Sequence, residues 1–107
     1  VLVDLHMSPD ISIYRELNKK TWCQDFGSSG YHYAAVANGI NHAFVNVASK
    51  GHENGAGYLL ITEAGGFMTD FEGNSFGSKQ YDFNKQQQLI ASANEYLLQE
   101  LIDIMKK

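Results

Sequence analysis

A chain of 107 residues and 11.9 kDa, 44% hydrophobic and 19% charged, has enough apolar surface for one modest core and too much for a disordered segment. Its net charge is −4 and its eight basic residues are scattered apart from Lys19-Lys20 and Lys106-Lys107, which leaves no electrostatic footprint for nucleic acid. The single cysteine, Cys23, excludes a disulfide within these residues and a Cys/His zinc site, and no apolar run nears the ~18 residues of a membrane span.

Val1-Leu2-Val3-Asp4-Leu5 is apolar at neighbouring positions, the pattern of an interior strand covered on both faces. Asp4 and His6 so near the start are unlike a secretory leader, and with one thiol a soluble protein in the reduced cytoplasm is expected. Because Val1 opens directly in strand-like sequence, these residues are expected to be one domain of a longer protein. Ser8-Pro9-Asp10 then has the order of a helix start, with a cap, proline at the first helical position and an acid in the first turn. That helix is expected to reach Lys19-Lys20, whose charges suit a C-terminal dipole.

Thr21 to Phe26 is expected as a second strand, Gly27-Ser28-Ser29-Gly30 as a polar turn, and Tyr31 to Asn38 as a small-faced helix stopped by Gly39. His42 to Ala48 alternates as a third strand, with Phe44 and Asn46 on one face and Ala43, Val45 and Val47 on the other. A helix from about Asn54 to Ala64 ends at Gly65-Gly66, and Phe67 to Phe71 is a fourth strand leading into the turn Glu72-Gly73-Asn74-Ser75. After a glutamine-rich loop over 76–88, Leu89-Ile90-Ala91 makes a fifth strand. Ser92 and Glu95 are spaced as a capping box for a last helix, which carries Leu97, Leu98, Leu101, Ile102 and Met105 on one stripe. Strands alternating with helices predict a three-layer α/β domain (α-β-α) with a five-stranded, mostly parallel or mixed sheet.

The most informative stretch is Lys50-Gly51-His52-Glu53-Asn54-Gly55-Ala56-Gly57, continued by Tyr58 to Glu63-Ala64-Gly65-Gly66. It places an acid where a strand hands over to a helix of small residues. The run resembles the second signature of the inositol monophosphatase family, Trp-Asp-x-Ala-(Gly/Ala)-Gly with Glu-Ala-Gly-Gly further along. Ala56-Gly57 and Glu63-Ala64-Gly65-Gly66 match its tail, and His52-Glu53 stands where Trp-Asp is usual. The resemblance covers most of the chain, best from about Asp25 to Phe76 and again from Leu89 onward.

That resemblance implies the carboxy-terminal half of a Mg²⁺-dependent phosphatase. It implies that Glu53, in the place of the family's aspartate, is a Mg²⁺ ligand; read from the residues alone, Glu53 is equally a solvated acid favoured by a helix N-terminus. Gly27, Ser28 and Ser29 align with the segment that lines the family's substrate pocket, and they also suit a plain helix-capping turn. Asn46 falls seven positions before Glu53, where inositol-specific members carry a glutamate that binds sugar-alcohol hydroxyls. Its amide still donates and accepts hydrogen bonds, and its other reading is a polar residue at a strand end.

Other chemistries fit less well. His6, His32, His42 and His52 form no i, i+4 pair around a glutamate, and Cys23 on a strand is a small hydrophobe. Gly55-x-Gly57 precedes a helix, but position 60 is Leu, so the third glycine of a dinucleotide fingerprint is missing. The family's Asp-Pro-x-Asp-Gly-Thr motif does not occur here, since Asp4, Asp10 and Asp25 are followed by Leu, Ile and Phe. The resemblance therefore implies no catalytic residue within these residues, and an isolated domain that is inactive. It also implies partners: an N-terminal domain of the same protein, a small phosphorylated substrate, and a second copy through exposed apolar surface. The alternative is a non-catalytic binding or interaction module on the same fold. For such a half-enzyme the face near Ser29, Asn46 and Glu53 is expected to be open to solvent, and those side chains deep in a closed core would count against the assignment.

Overall fold

A computed structural model describes residues 1–3, 12–24, 29–49, 52–76 and 87–105. The described elements are β1 (Leu2–Val3), α1 (Ser12–Asn18), α2 (Ser29–Ala37), β2 (Ala43–Ser49), α3 (His52–Glu63), β3 (Phe67–Asp70), β4 (Gln87–Ser92) and α4 (Glu95–Met105). The strands form one sheet in the order β1-β2-β4-β3, with β1 parallel to β2 and both other pairings antiparallel.

Strand alternation sorts the core into two layers. Leu2, Phe44, Ala91 and Met68 share one face through the register Leu2↔Phe44, Phe44↔Ala91 and Met68↔Ala91, and they pack against Tyr33, Ala35 and Val36 of α2 and Ile61 of α3. Val3, Val45 and Ile90 face the other way, against Leu17 of α1 and Leu98, Leu101 and Ile102 of α4. The three-layer α-β-α arrangement with a mixed sheet is thus as expected, and Phe44 and Asn46 do share a face.

Two expectations need correction. Among the described residues the sheet has four strands rather than five, because the described part of the expected second strand, Thr21 to Gln24, contributes a single parallel bridge, Leu2↔Gln24. Thr21 is held instead by the end of α1, its N–H and hydroxyl both donating to the Leu17 carbonyl at 2.9 and 3.0 Å, so its backbone is spent before it reaches β1. The cap of α4 is Asn94 rather than Ser92: Asn94 Oδ1 accepts from the Tyr96 and Leu97 N–H groups at 2.7 and 3.2 Å. Ser92 Oγ accepts the Asn94 N–H at 3.1 Å and so fixes the capping residue. The expected helix start at Ser8-Pro9-Asp10 and most of the glutamine-rich loop lie outside the described residues.

The paired glycines after α3 serve different purposes. Gly65 has φ +83°, and the Gly65 and Gly66 N–H groups donate to the Thr62 and Ile61 carbonyls, which closes the helix in a left-handed turn. A Cβ on Gly66 would lie 2.9 Å from the Ser92 carbonyl oxygen, so this residue lets the chain pass close under β4.

Beyond β3 the chain folds back on itself. Asp70 Oδ1 accepts the Glu72 and Asn74 N–H groups at 2.9 Å each, Oδ2 accepts from Asn74 Nδ2 at 3.1 Å, and the Asp70 N–H donates to the Asn74 carbonyl at 2.9 Å. Thr69 then bridges Ser75.

Candidate functional site

The site region lies where the end of β2 meets the start of α3. The β2–β4 register shifts after Asn46: Asn46 pairs with Leu89 and Ser49 with Gln87, which puts one extra residue into β2. Such a bulge bends a strand and re-aims the chain beyond it. Beyond this one come the signature loop and the first turn of α3, where His52 is the first helical residue and Glu53 the second.

Under that turn is a closed triangle of neutral polar groups from three elements. The Tyr33 hydroxyl on α2 donates to Asn54 Oδ1 on α3 at 3.0 Å. Asn46 Nδ2 on β2 donates to the same Asn54 oxygen at 3.3 Å and to the Tyr33 hydroxyl oxygen at 3.3 Å. Asn46 and Asn54 have no exposed surface and Tyr33 has 1%. A buried hydrogen bond contributes about 1 kcal/mol net, whereas removing one partner leaves a buried polar group at a cost of ~1–3 kcal/mol.

Apolar packing holds the triangle in place. The Tyr33 ring meets Phe44 edge to face, centroids 5.0 Å apart and planes at 80°, and buried His32 lies tilted at 59° against the same Phe44, centroids 4.6 Å apart. The ring also lies directly on Gly57, where a Cβ would come within 2.4 Å of Tyr33 Cδ2. Asn54 and Gly57 are three apart on α3 and therefore share a face. The phenol body rests on one and its hydroxyl reaches the other.

Gly27 and Ser28 lie outside the described residues, Ser29 opens α2, and Glu53 sits in the first turn of α3. Asn46 does not open to solvent as expected: the bulge and the contacts from Tyr33 and Asn54 turn its amide inward. Neither Tyr33 nor Asn54 stood out in the sequence. The available signals were an asparagine inside a helical signature and a tyrosine among the alanines of α2, placed over a glycine.

Mg²⁺ requires a near-octahedral shell of oxygen donors. The α3 turn offers one carboxylate of the right chemistry, and among the described residues no group of three or more His, Cys, Asp or Glu is arranged to hold a metal ion. These residues alone do not fit a Mg²⁺ ion. Among the described residues no helix is long and apolar enough to cross a membrane.

Two layers of helices on a mixed four-stranded sheet, with a glycine-rich helix start at one strand end, define a three-layer α/β domain. The inositol monophosphatase family model matches residues 4–107, and the chain belongs to that family. The chain is similar to the extragenic suppressor protein suhB of Bartonella henselae, with TM-score 0.78 and 27% identity over 99% of this chain and 41% of that one. The inositol monophosphatase of Thermotoga maritima shares the fold with TM-score 0.79, at 24% identity over 98% of this chain and 39% of that one. In sequence it is 28% identical over 85 residues to a fructose-1,6-bisphosphatase/inositol-1-monophosphatase of Archaeoglobus fulgidus. It is 37% identical over 81 residues to a bifunctional NADP phosphatase/NAD kinase of Methanococcus maripaludis. The matched region spans 76% of this chain and 33% of the Archaeoglobus protein, and 74% of this chain and 14% of the Methanococcus protein.

Proposed function

We propose that these residues are the carboxy-terminal domain of a longer Mg²⁺-dependent phosphomonoesterase that hydrolyses a small sugar or polyol phosphate in the cytoplasm. The observation that carries this reading is the family match from residue 4 to residue 107 on a domain whose signature turn, with Glu53, is built into the start of α3. The named relatives act on fructose bisphosphate, inositol phosphate or NADP, all of which present a phosphate esterified to a hydroxylated sugar or cyclitol skeleton.

In this reading Glu53 supplies one oxygen to the metal site and the other ligands come from the N-terminal domain. Gly27, Ser28 and Ser29 would meet the phosphate at the start of α2, where backbone N–H groups favour an anion. The domain alone is then folded and inactive. Exposed Leu59 and Leu60 on α3, with Ile40 after α2, are the apolar surface through which the N-terminal domain or a second copy would associate.

The second reading, a binding module that has lost catalysis, draws on His52-Glu53 in place of Trp-Asp and on the inward turn of Asn46. One experiment separates the two. The native protein is captured from its source cell, its intact mass is measured, and the full-length chain is assayed with Mg²⁺ and a phosphomonoester panel, as wild type and as Glu53→Asp. A chain about two to three times as long, active and with tighter Mg²⁺ dependence on restoring aspartate, supports the phosphatase. A full-length chain without turnover in either form supports the module.

A further inference from the structure

We propose that Tyr33, Asn46 and Asn54 act as a clasp that positions the first turn of α3, the turn carrying His52 and Glu53, against the end of β2. Its consequence for turnover rests on the phosphatase reading above, whereas its consequence for the order of α3 does not.

The geometry supports this role in three ways. Each corner of the triangle belongs to a different element, so α3 cannot slide along β2 or roll on α2 without breaking two of the three hydrogen bonds. Asn54 follows Glu53 directly, so the fixed corner adjoins the carboxylate rather than lying a turn away. Gly57 admits the Tyr33 ring so closely that the hydroxyl is brought to Asn54, and Asn46 is the last residue of β2 in regular register before the bulge. An aliphatic trio would bury as well but would not fix direction; hydrogen bonds between buried polar groups do, because they are lost on misalignment. Asn46 is therefore a positioning residue, which accounts for its lack of exposure at a place where a substrate contact was expected.

The test uses the intact native chain as wild type, Tyr33→Phe, Asn54→Leu and Leu98→Ala, the last on the opposite side of the sheet. Hydrogen exchange is followed at the amides of residues 56–60, whose helical bonds close the first turn. Tyr33→Phe and Asn54→Leu should each speed exchange there by about tenfold, with β4 and α4 within about twofold of wild type. Leu98→Ala should loosen α4 and spare residues 56–60. No change at residues 56–60, or an equal rise in every peptide, would overturn the clasp.

Hydrolysis of p-nitrophenyl phosphate by the same full-length proteins with Mg²⁺ reads the second consequence. Tyr33→Phe should lower kcat about tenfold and leave KM within about twofold, the mark of a displaced reacting group rather than lost substrate binding. An unchanged kcat alongside faster exchange at residues 56–60 would overturn the catalytic part of the proposal. A wild type with no turnover overturns the phosphatase reading instead, while the exchange result still judges the clasp.

Discussion

The two sides of the sheet are built from different materials. Under α1 and α4 the buried cluster is Val3, Leu17, Cys23, Ala43, Val45, Ile90, Leu98, Leu101 and Ile102, without an aromatic ring, and the register adds only the hydroxyls of Thr69 and Ser92 as buried polar groups. Under α2 and α3 aliphatic residues such as Leu2, Val36 and Ile61 are joined by aromatic and amide groups, with Tyr33, Phe44, His32, Asn46 and Asn54 all at or near zero exposure. An apolar layer gains stability in proportion to the area it buries and tolerates small shifts. A layer of hydrogen-bonded polar groups gains little net energy and loses much when misaligned, so it sets geometry. The candidate site sits on the second kind of layer.

Substitutions can break that contrast. The largest effect is expected from Leu101→Ala in the aliphatic layer, which should cost ~2–5 kcal/mol and appear as a lower midpoint in thermal unfolding. Gly57→Ala comes next. Alanine is favoured over glycine in a helix by about 1 kcal/mol, but its Cβ would sit 2.4 Å from the Tyr33 ring, and such overpacking costs ~1–3 kcal/mol. A net loss of stability in urea unfolding is expected, together with displacement of Tyr33. Removing the α4 cap by Asn94→Ala should cost about 1 kcal/mol by the same measurement and leave α3 unaffected.

The smallest and sharpest test has the opposite sign. Two residues before Gly57 on the same helix, a Cβ on Gly55 would meet nothing within 4 Å. Gly55→Ala should therefore stabilise by about 0.5–1 kcal/mol in urea unfolding. If Gly55→Ala and Gly57→Ala shifted stability equally, the close seat of Tyr33 on α3 would be wrong.

Much of the layer order was legible because it is written in local periodicity. The alternation of Ala43, Phe44, Val45 and Asn46 assigned faces correctly, and the stripe of Leu98, Leu101 and Ile102 did the same for α4. Of the expected second strand, Thr21 to Phe26, the described residues form only the bridge at Gln24: Thr21 has good strand propensity, yet its donors are claimed by Leu17 four residues earlier. Ser92 and Asn94 are both good caps, and which of them caps is decided by the hydrogen bond between them. The clasp was not legible at all. Its bonds join residues 8, 13 and 21 apart in sequence, and at Asn46 the chain pattern only says polar. That Asn46 faces inward is decided by the groups that α2 and α3 bring to it.

The fold-back after β3 governs how this domain behaves in company. β3 is the outermost strand on its side of the sheet, and a bare outer strand is a template on which another chain can lay its own backbone. Here the Asp70 N–H is already taken by Asn74, Thr69 is bridged to Ser75, and the Asp70 carboxylate cinches the return. The rim is hemmed by its own thread, so a crowd of identical molecules finds little purchase there for growing a fibre.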